Sequence, residues 1–223
     1  MNRSAIRQRI LESLNESATS PVFWSTAQID AVIDEAQEVL AEEAQAIKRT
    51  VFQALKDGTT YYYTRGLAND VMAPYRIWLT HLDRRLRAVS VKELDERHER
   101  WIDVTGDPEV WFSVSWDLFG IWPHPATGGG VMRIDYLAWP RSLQDDNDEP
   151  EYRPADHDAL VLYGVYDGLM KSWNAARAAE IFNLFMERWS AARARAGIRE
   201  VQARAFQAAA RGDGAAWRTG VLK

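Results

Sequence analysis

Apolar residues recur at helical spacing near the start of the chain, cluster in short aromatic and β-branched runs through its middle, and return to helical spacing beyond residue 155. At the start, Ser4 stands as a cap ahead of Ile6, Ile10, Leu11 and Leu14, which share one helical face. A break follows at Thr19–Ser20–Pro21. Ser25 and Gln28 then have capping-box spacing, which signals a second helix start. Ile29, Val32, Ile33, Ala36, Val39 and Leu40 form one face, with Asp30, Asp34, Glu35, Glu38 and Glu42 mostly outside it. The pattern predicts a long amphipathic helix reaching Leu55 and stopped by Asp57–Gly58.

The period then changes. TTYYYT, YRIWLTHL, RLRAVS, EVWFSVSW and VMRIDYLAW read as short strands between turn signals. Among them, Ser90 stands three residues before Glu93 and opens one short surface helix. Pro123–His124–Pro125 ends a strand, and Gly128–Gly129–Gly130 supplies a flexible hairpin connection. Residues 145–151 form a polar, acidic stretch expected to be exposed or disordered. After Pro154, Leu160, Val161, Tyr163, Gly164 and Leu169 fit a helix. A second helix follows with Ile181, Phe182, Phe185, Met186 and Trp189 as its stripe and Gly197 as its stop. The short link between these two predicts an antiparallel pair. The fold class is α+β: a helical bundle carrying an inserted small antiparallel β-sheet region. Residues 1–197 form one domain, helical over 4–56 and 156–197 and β-rich over 59–140. Residues 198–223 make a C-terminal helix and a flexible arm.

Composition narrows the functional classes. The 223 residues are 47% hydrophobic, enough to bury a core. The chain has no cysteine, which excludes a disulfide scaffold, a cysteine-ligated metal and thiol catalysis. No apolar run nears a membrane span, and no signal peptide opens the sequence, so a soluble, unsecreted protein is expected. With 27 basic and 32 acidic residues the net charge is −5, which argues against wrapping nucleic acid by bulk electrostatics. Ten tryptophans and an excess of arginine over lysine match either ordinary core and genome usage or subunit interfaces.

Catalytic chemistry finds little support. His98 sits among Glu96, Glu99 and Arg100 on a charged face, His124 lies between prolines, and His81 ends a strand. Asp156–His157–Asp158 offers metal-ligating types, but adjacent helical residues point in different directions, and helix capping accounts for the carboxylates. The acidic stretch lacks an EF-hand's mid-loop glycine, and Pro150 interrupts it. The triple glycine has no phosphate-loop context, and there is no G-x-S-x-G elbow. No enzyme and no cofactor are indicated.

Charge along the chain is uneven. From Arg193 to Lys223 there are seven basic residues and two acidic ones, so that arm is +5 and the remainder −10. A solvated terminus, a DNA-contacting arm and a docking peptide all fit the basic arm. Its apolar anchors Trp217, Val221 and Leu222, beside Arg218, suit docking better than phosphate binding, which needs no such residues.

The order of motifs resembles the bacteriophage head–tail connector (neck adaptor) proteins, the group that includes the podovirus tail tubular protein A. The matching pieces are Trp24–Ser25–Thr26–Ala27–Gln28–Ile29 and Ala36–Gln37–Glu38–Val39–Leu40–Ala41, then Leu86, Val89, Ser90, Glu93, Leu94, Asp95 and Trp101. Gly106, Pro108 and Trp111 follow, then Pro123, Pro125 and Pro140, the acidic stretch, and the run from His157 to Leu169. The resemblance covers residues 1–190 and leaves the end unaligned. It implies a non-enzymatic virion ring, commonly a dodecamer, assembled in the host cytoplasm. Such a ring binds the portal protein and the tail or next neck protein, touches no membrane, and lets double-stranded DNA pass without sequence-specific contact. It also implies that Trp24, Trp101 and Tyr163 pack rather than react, and that the tail residues Trp217, Arg218, Val221 and Leu222 dock on the portal. The alternative is a DNA-binding packaging or regulatory accessory using Arg193, Arg195, Arg199 and Arg204.

Overall fold

The computed structural model describes residues 1–17, 19, 22–97 and 100–210, with side chains at 97 and 198–210 left aside. Two compact units divide them: Met1–Ala46 with the chain from Ser142 onward, and Ile47–Arg141. Helices and strands are both present, and the class is α+β.

The first unit is helical. Helix α1 (Arg3–Ser13) is capped by Asn2 rather than Ser4, because the Asn2 side chain accepts from the Ala5 amide at 3.0 Å. Ile6, Ile10 and Leu11 are its buried face, as their spacing predicts. Helix α2 (Thr26–Ala44) opens on the capping box: Ser25 Oγ accepts from the Gln28 amide, and Gln28 Oε1 accepts from the Ser25 amide. It does not reach Leu55. Gln45 adopts a left-handed conformation (φ 51°), its amide bonds the Ala41 carbonyl, and the helix closes there.

The second unit begins at once with strand β1 (Lys48–Ala54), whose partner is distant in sequence. Strands β2 (Tyr61–Tyr63), β3 (Val71–Leu79), β4 (Arg84–Arg85) and β5 (Arg87–Val89) follow, then helix α3 (Val91–Arg97). Strands β6 (Val110–Ser115), β7 (Leu118–Trp122) and β8 (Val131–Ala138) complete the unit. Two four-stranded sheets form, ordered β1-β8-β3-β4 and β2-β7-β6-β5. This corrects the single antiparallel sheet, since β5 and β6 pair in parallel. It also corrects the hairpin at Gly128–Gly130: β7 and β8 lie in different sheets, so the glycines cross between them.

Apolar positions from both sheets, including Ile77, Leu79, Phe119, Ile121, Met132 and Ile134, share one core. Pro74 is tolerated inside the central strand β3 because it sits at a register shift, where the ladder is already interrupted. A second cluster, Leu94, Trp101, Val110 and Phe112, lies under α3. There Ser90 Oγ accepts from the Glu93 amide at 3.1 Å, as the spacing predicts, and Trp101 Nε1 donates to Asp95 at 2.7 Å.

Back in the helical unit, a short 3-10 turn (Pro154–Asp156) leads into helix α4 (His157–Lys171), and three residues later helix α5 (Ala175–Ala210) starts. Gly164 and Gly168 let α1 approach closely: a Cβ at either would overlap Ile10 or Leu14. Helix α5 runs straight through Gly197, which corrects the expected stop there. One glycine costs a helix about 1 kcal/mol, too little to end it amid alanines and arginines.

Candidate interaction surfaces

The residues with the strongest chemical signal at sequence level are placed apart or already engaged. Asp156 pairs with Arg195 of α5. Asp158 pairs with Arg9 of α1 at 2.7 Å. His157 turns inward between them, buried, with Nε2 donating to the Tyr152 carbonyl at 3.1 Å and Nδ1 lying 2.7 Å from the Met1 amine. Burial holds its pKa below the ordinary histidine value, with the bond to the Tyr152 carbonyl, and then Glu149 and Asp156, pulling the other way. Among the described residues no group of three or more His, Asp or Glu has metal-ligand geometry. His98 lies outside the described residues.

The acidic stretch is exposed but ordered, which sharpens the expectation of an exposed or disordered loop. Its backbone carbonyls at Asp146 and Asp148 accept from the Ser4 and Arg3 amides, satisfying the otherwise unpaired donors at the start of α1. Asp146 also pairs with Arg7 at 2.7 Å, and Arg7 grips Asp30 through Nε at 2.7 Å and Nη2 at 2.9 Å. That bond to Asp30 holds the Arg7 guanidinium more firmly protonated than usual. Asp148 accepts from the Gln144 and Asp145 amides at 2.8 Å each, and these bonds hold its carboxyl below the ordinary range. The carboxylates serve the turn and α1, rather than a cation.

Helix α5 departs most from ordinary core packing. Of its residues through Gly197, only Ala178, Phe185 and Ala192 are buried, spaced a heptad apart. Phe182, Leu184 and Met186 stay exposed at 38%, 46% and 37%, and nearby Trp173 at 94%. On one flank, Tyr163 and Tyr166 of α4 form a ring cluster with Phe182 and Phe185. The Tyr163 hydroxyl donates to Glu35 of α2 at 2.8 Å; burial and that carboxylate push its pKa up.

The other flank is a groove of about 410 Å³ between α1, α4 and α5. Val161, Val165, Ile181 and Leu184 line it, and Arg9, Arg177 and Arg188 stand along it. Along α5 the order is Arg177, Ile181, Leu184, Arg188, a basic–apolar–apolar–basic stripe at helical spacing.

In the β unit, register aligns Phe52, Arg133, Trp78 and Arg85 across four strands on one face. Asp135, next along β8, is buried and takes bonds from Thr50, Arg76 and Arg133. Burial alone would raise its pKa, but those donors hold it below the ordinary carboxylate value.

Charge divides by unit. The β unit carries 13 basic and 12 acidic residues, nearly neutral. The helical unit, apart from residues 193–223, carries 7 basic against 18 acidic. The acidity noted along the sequence is therefore a property of the helical unit alone, its 145–151 loop included.

Trp24 and Trp101 are buried packing residues, as the resemblance implies, and Tyr163 packs its ring beside Phe185. The docking residues Trp217, Arg218, Val221 and Leu222 lie outside the described residues. The α1–α4–α5 groove has no signature in the sequence, because no local pattern shows which side of α5 its neighbours leave open. No helix among the described residues is long and apolar enough to cross a membrane.

No curated protein sequence matches the chain. The pattern that defines the family described as SU10 adaptor protein matches residues 1–218, nearly the full length, and the chain belongs to this family of phage adaptor proteins.

Proposed function

We propose that this phage adaptor is a head–tail connector of the kind its motif order resembles: a ring, dodecameric on the portal, that joins capsid to tail and leaves a channel for the genome. The family match over residues 1–218 carries the reading. The role is structural and non-enzymatic, and the place is the virion neck. Residues 1–197 act as one adaptor body, with a bundle of α1, α2, α4 and α5 as the ring wall, and 198–223 supply a C-terminal helix and tail. The helical unit's excess of carboxylates suits a channel wall, since a lining of like sign to the DNA backbone repels duplex instead of gripping it.

The tail residues Trp217, Arg218, Val221 and Leu222 reach the portal as apolar and cationic anchors. Co-sedimentation with purified portal rings tests this part. The full chain should bind, and a chain lacking residues 212–223 should fold with an unchanged melting temperature but bind at least tenfold more weakly, the loss of a few anchors. Undiminished binding by the truncated chain removes the tail from the mechanism. The DNA-accessory alternative loses ground at two of its four arginines: Arg195 is paired with Asp156, and Arg193 lies over the Trp189 ring.

A further inference from the structure

We infer that the α1–α4–α5 groove receives the acidic outer face of α2 from a second copy of this chain, making the lateral contact of the proposed ring. The inference rests on the ring reading and names the two faces that would meet in it.

Complementarity within one unit carries the inference. The groove offers an apolar floor with Arg177 and Arg188 at either end of the α5 stripe, and neither forms an ion pair among the described residues. The outer face of α2 presents Ala27 and Ala31, small enough for close helix approach, and then Glu38 and Glu42, one turn apart. Both glutamates are exposed and form no ion pair among the described residues. An acidic helix with small residues thus faces outward, and so does a basic, apolar-floored groove.

Position decides how they can meet. Glu35 of α2 touches Tyr163 of α4, whereas Asp158, Val161 and Val165 of α4 line the groove. At 100° per residue, Tyr163 lies roughly 160° around α4 from the centre of that stripe. The two faces stand on opposite flanks of α4, so one copy cannot satisfy both itself. A contact between unlike faces on opposite flanks is heterologous: it passes from copy to copy and closes only as a ring. A two-fold dimer would instead bring like faces together. The open Arg177 and Arg188 want carboxylates, and the exposed Glu38 and Glu42 of α2 supply them.

The chain has no cysteine, so introduced thiols are unambiguous. Full-length chain with Leu184→Cys is mixed with full-length chain with Ala31→Cys, free and on portal rings, and treated with a short bismaleimide. The inference predicts a Leu184–Ala31 cross-link between copies. Adding Arg177→Glu and Arg188→Glu to the first chain should lower its yield about tenfold, as like charges then oppose. Adding Glu38→Arg and Glu42→Arg to the second chain should restore it, a rescue that misfolding of the first chain could not produce. Cross-links joining Leu184 to Leu184, cross-links indifferent to both reversals, or Leu184 cross-linking only to portal or tail protein would each overturn the assignment. If chains bind portal rings without the cross-link, this interface falls and the adaptor reading stands. If the cross-link forms but no portal binds, the reverse holds.

Discussion

Asp135 and His157 show how single buried polar groups tie each unit to pH. Asp135 is ionised beneath Arg76 and Arg133, and losing it would leave two guanidiniums without their shared partner. Asp135→Ala should cost about 2–3 kcal/mol, read as a lower urea midpoint. Its pKa is depressed in the fold, so the stability it contributes is present above the unfolded value near 4 and is lost as pH falls through the lower folded value. His157 is depressed as well, so the unfolded chain takes up a proton first as pH falls below about 6.5. Stability should therefore decline in two stages on acidification. His157→Gln should remove the stage that begins near pH 6.5 while leaving the one below pH 4; an unchanged two-stage profile by thermal melting would contradict this. Gly120 adds a packing constraint: a Cβ there would enter the Phe112 ring. Gly120→Ala should cost about 1–3 kcal/mol through forced repacking.

At the scale of elements, local signals were legible and distant partners were not. Ser25 and Gln28 announce α2 because both groups of the capping box lie within one turn. Ser25→Ala should cost about 1 kcal/mol of stability, measurable by denaturant melting. The end of α2 was not legible, because Val51 becomes a strand residue through its pairing with Ile134, more than eighty positions later. The same non-locality hid the division into two sheets and the parallel β5–β6 pair. The apolar residues of α5 were legible as a stripe, but their burial was not. Phe185 packs inward while Phe182, Leu184 and Met186 stay open, and the placement of α4 and α2 against α5 decides between them.

For the whole molecule, a net charge of −5 conceals an acidic helical unit, a nearly neutral β unit and a basic C-terminal arm. Tryptophan use divides too: Trp24, Trp101 and Trp111 are core, whereas Trp116 and Trp173 are exposed at 68% and 94%. The phage-adaptor character was legible in the motif order, in which Trp24 and Trp101 are buried packing residues and Ser25 caps α2. Phe182, Leu184 and Met186 stand exposed on α5, whose residues through Gly197 bury only Ala178, Phe185 and Ala192, and they leave apolar surface that a contact with another chain would cover. Cryo-EM of purified portal rings mixed with the full-length chain tests the connector reading most directly. The expected result is a closed ring of this chain, twelve copies on a twelve-fold portal, with an open channel on the portal axis. Portal rings that remain bare at saturating chain would contradict it.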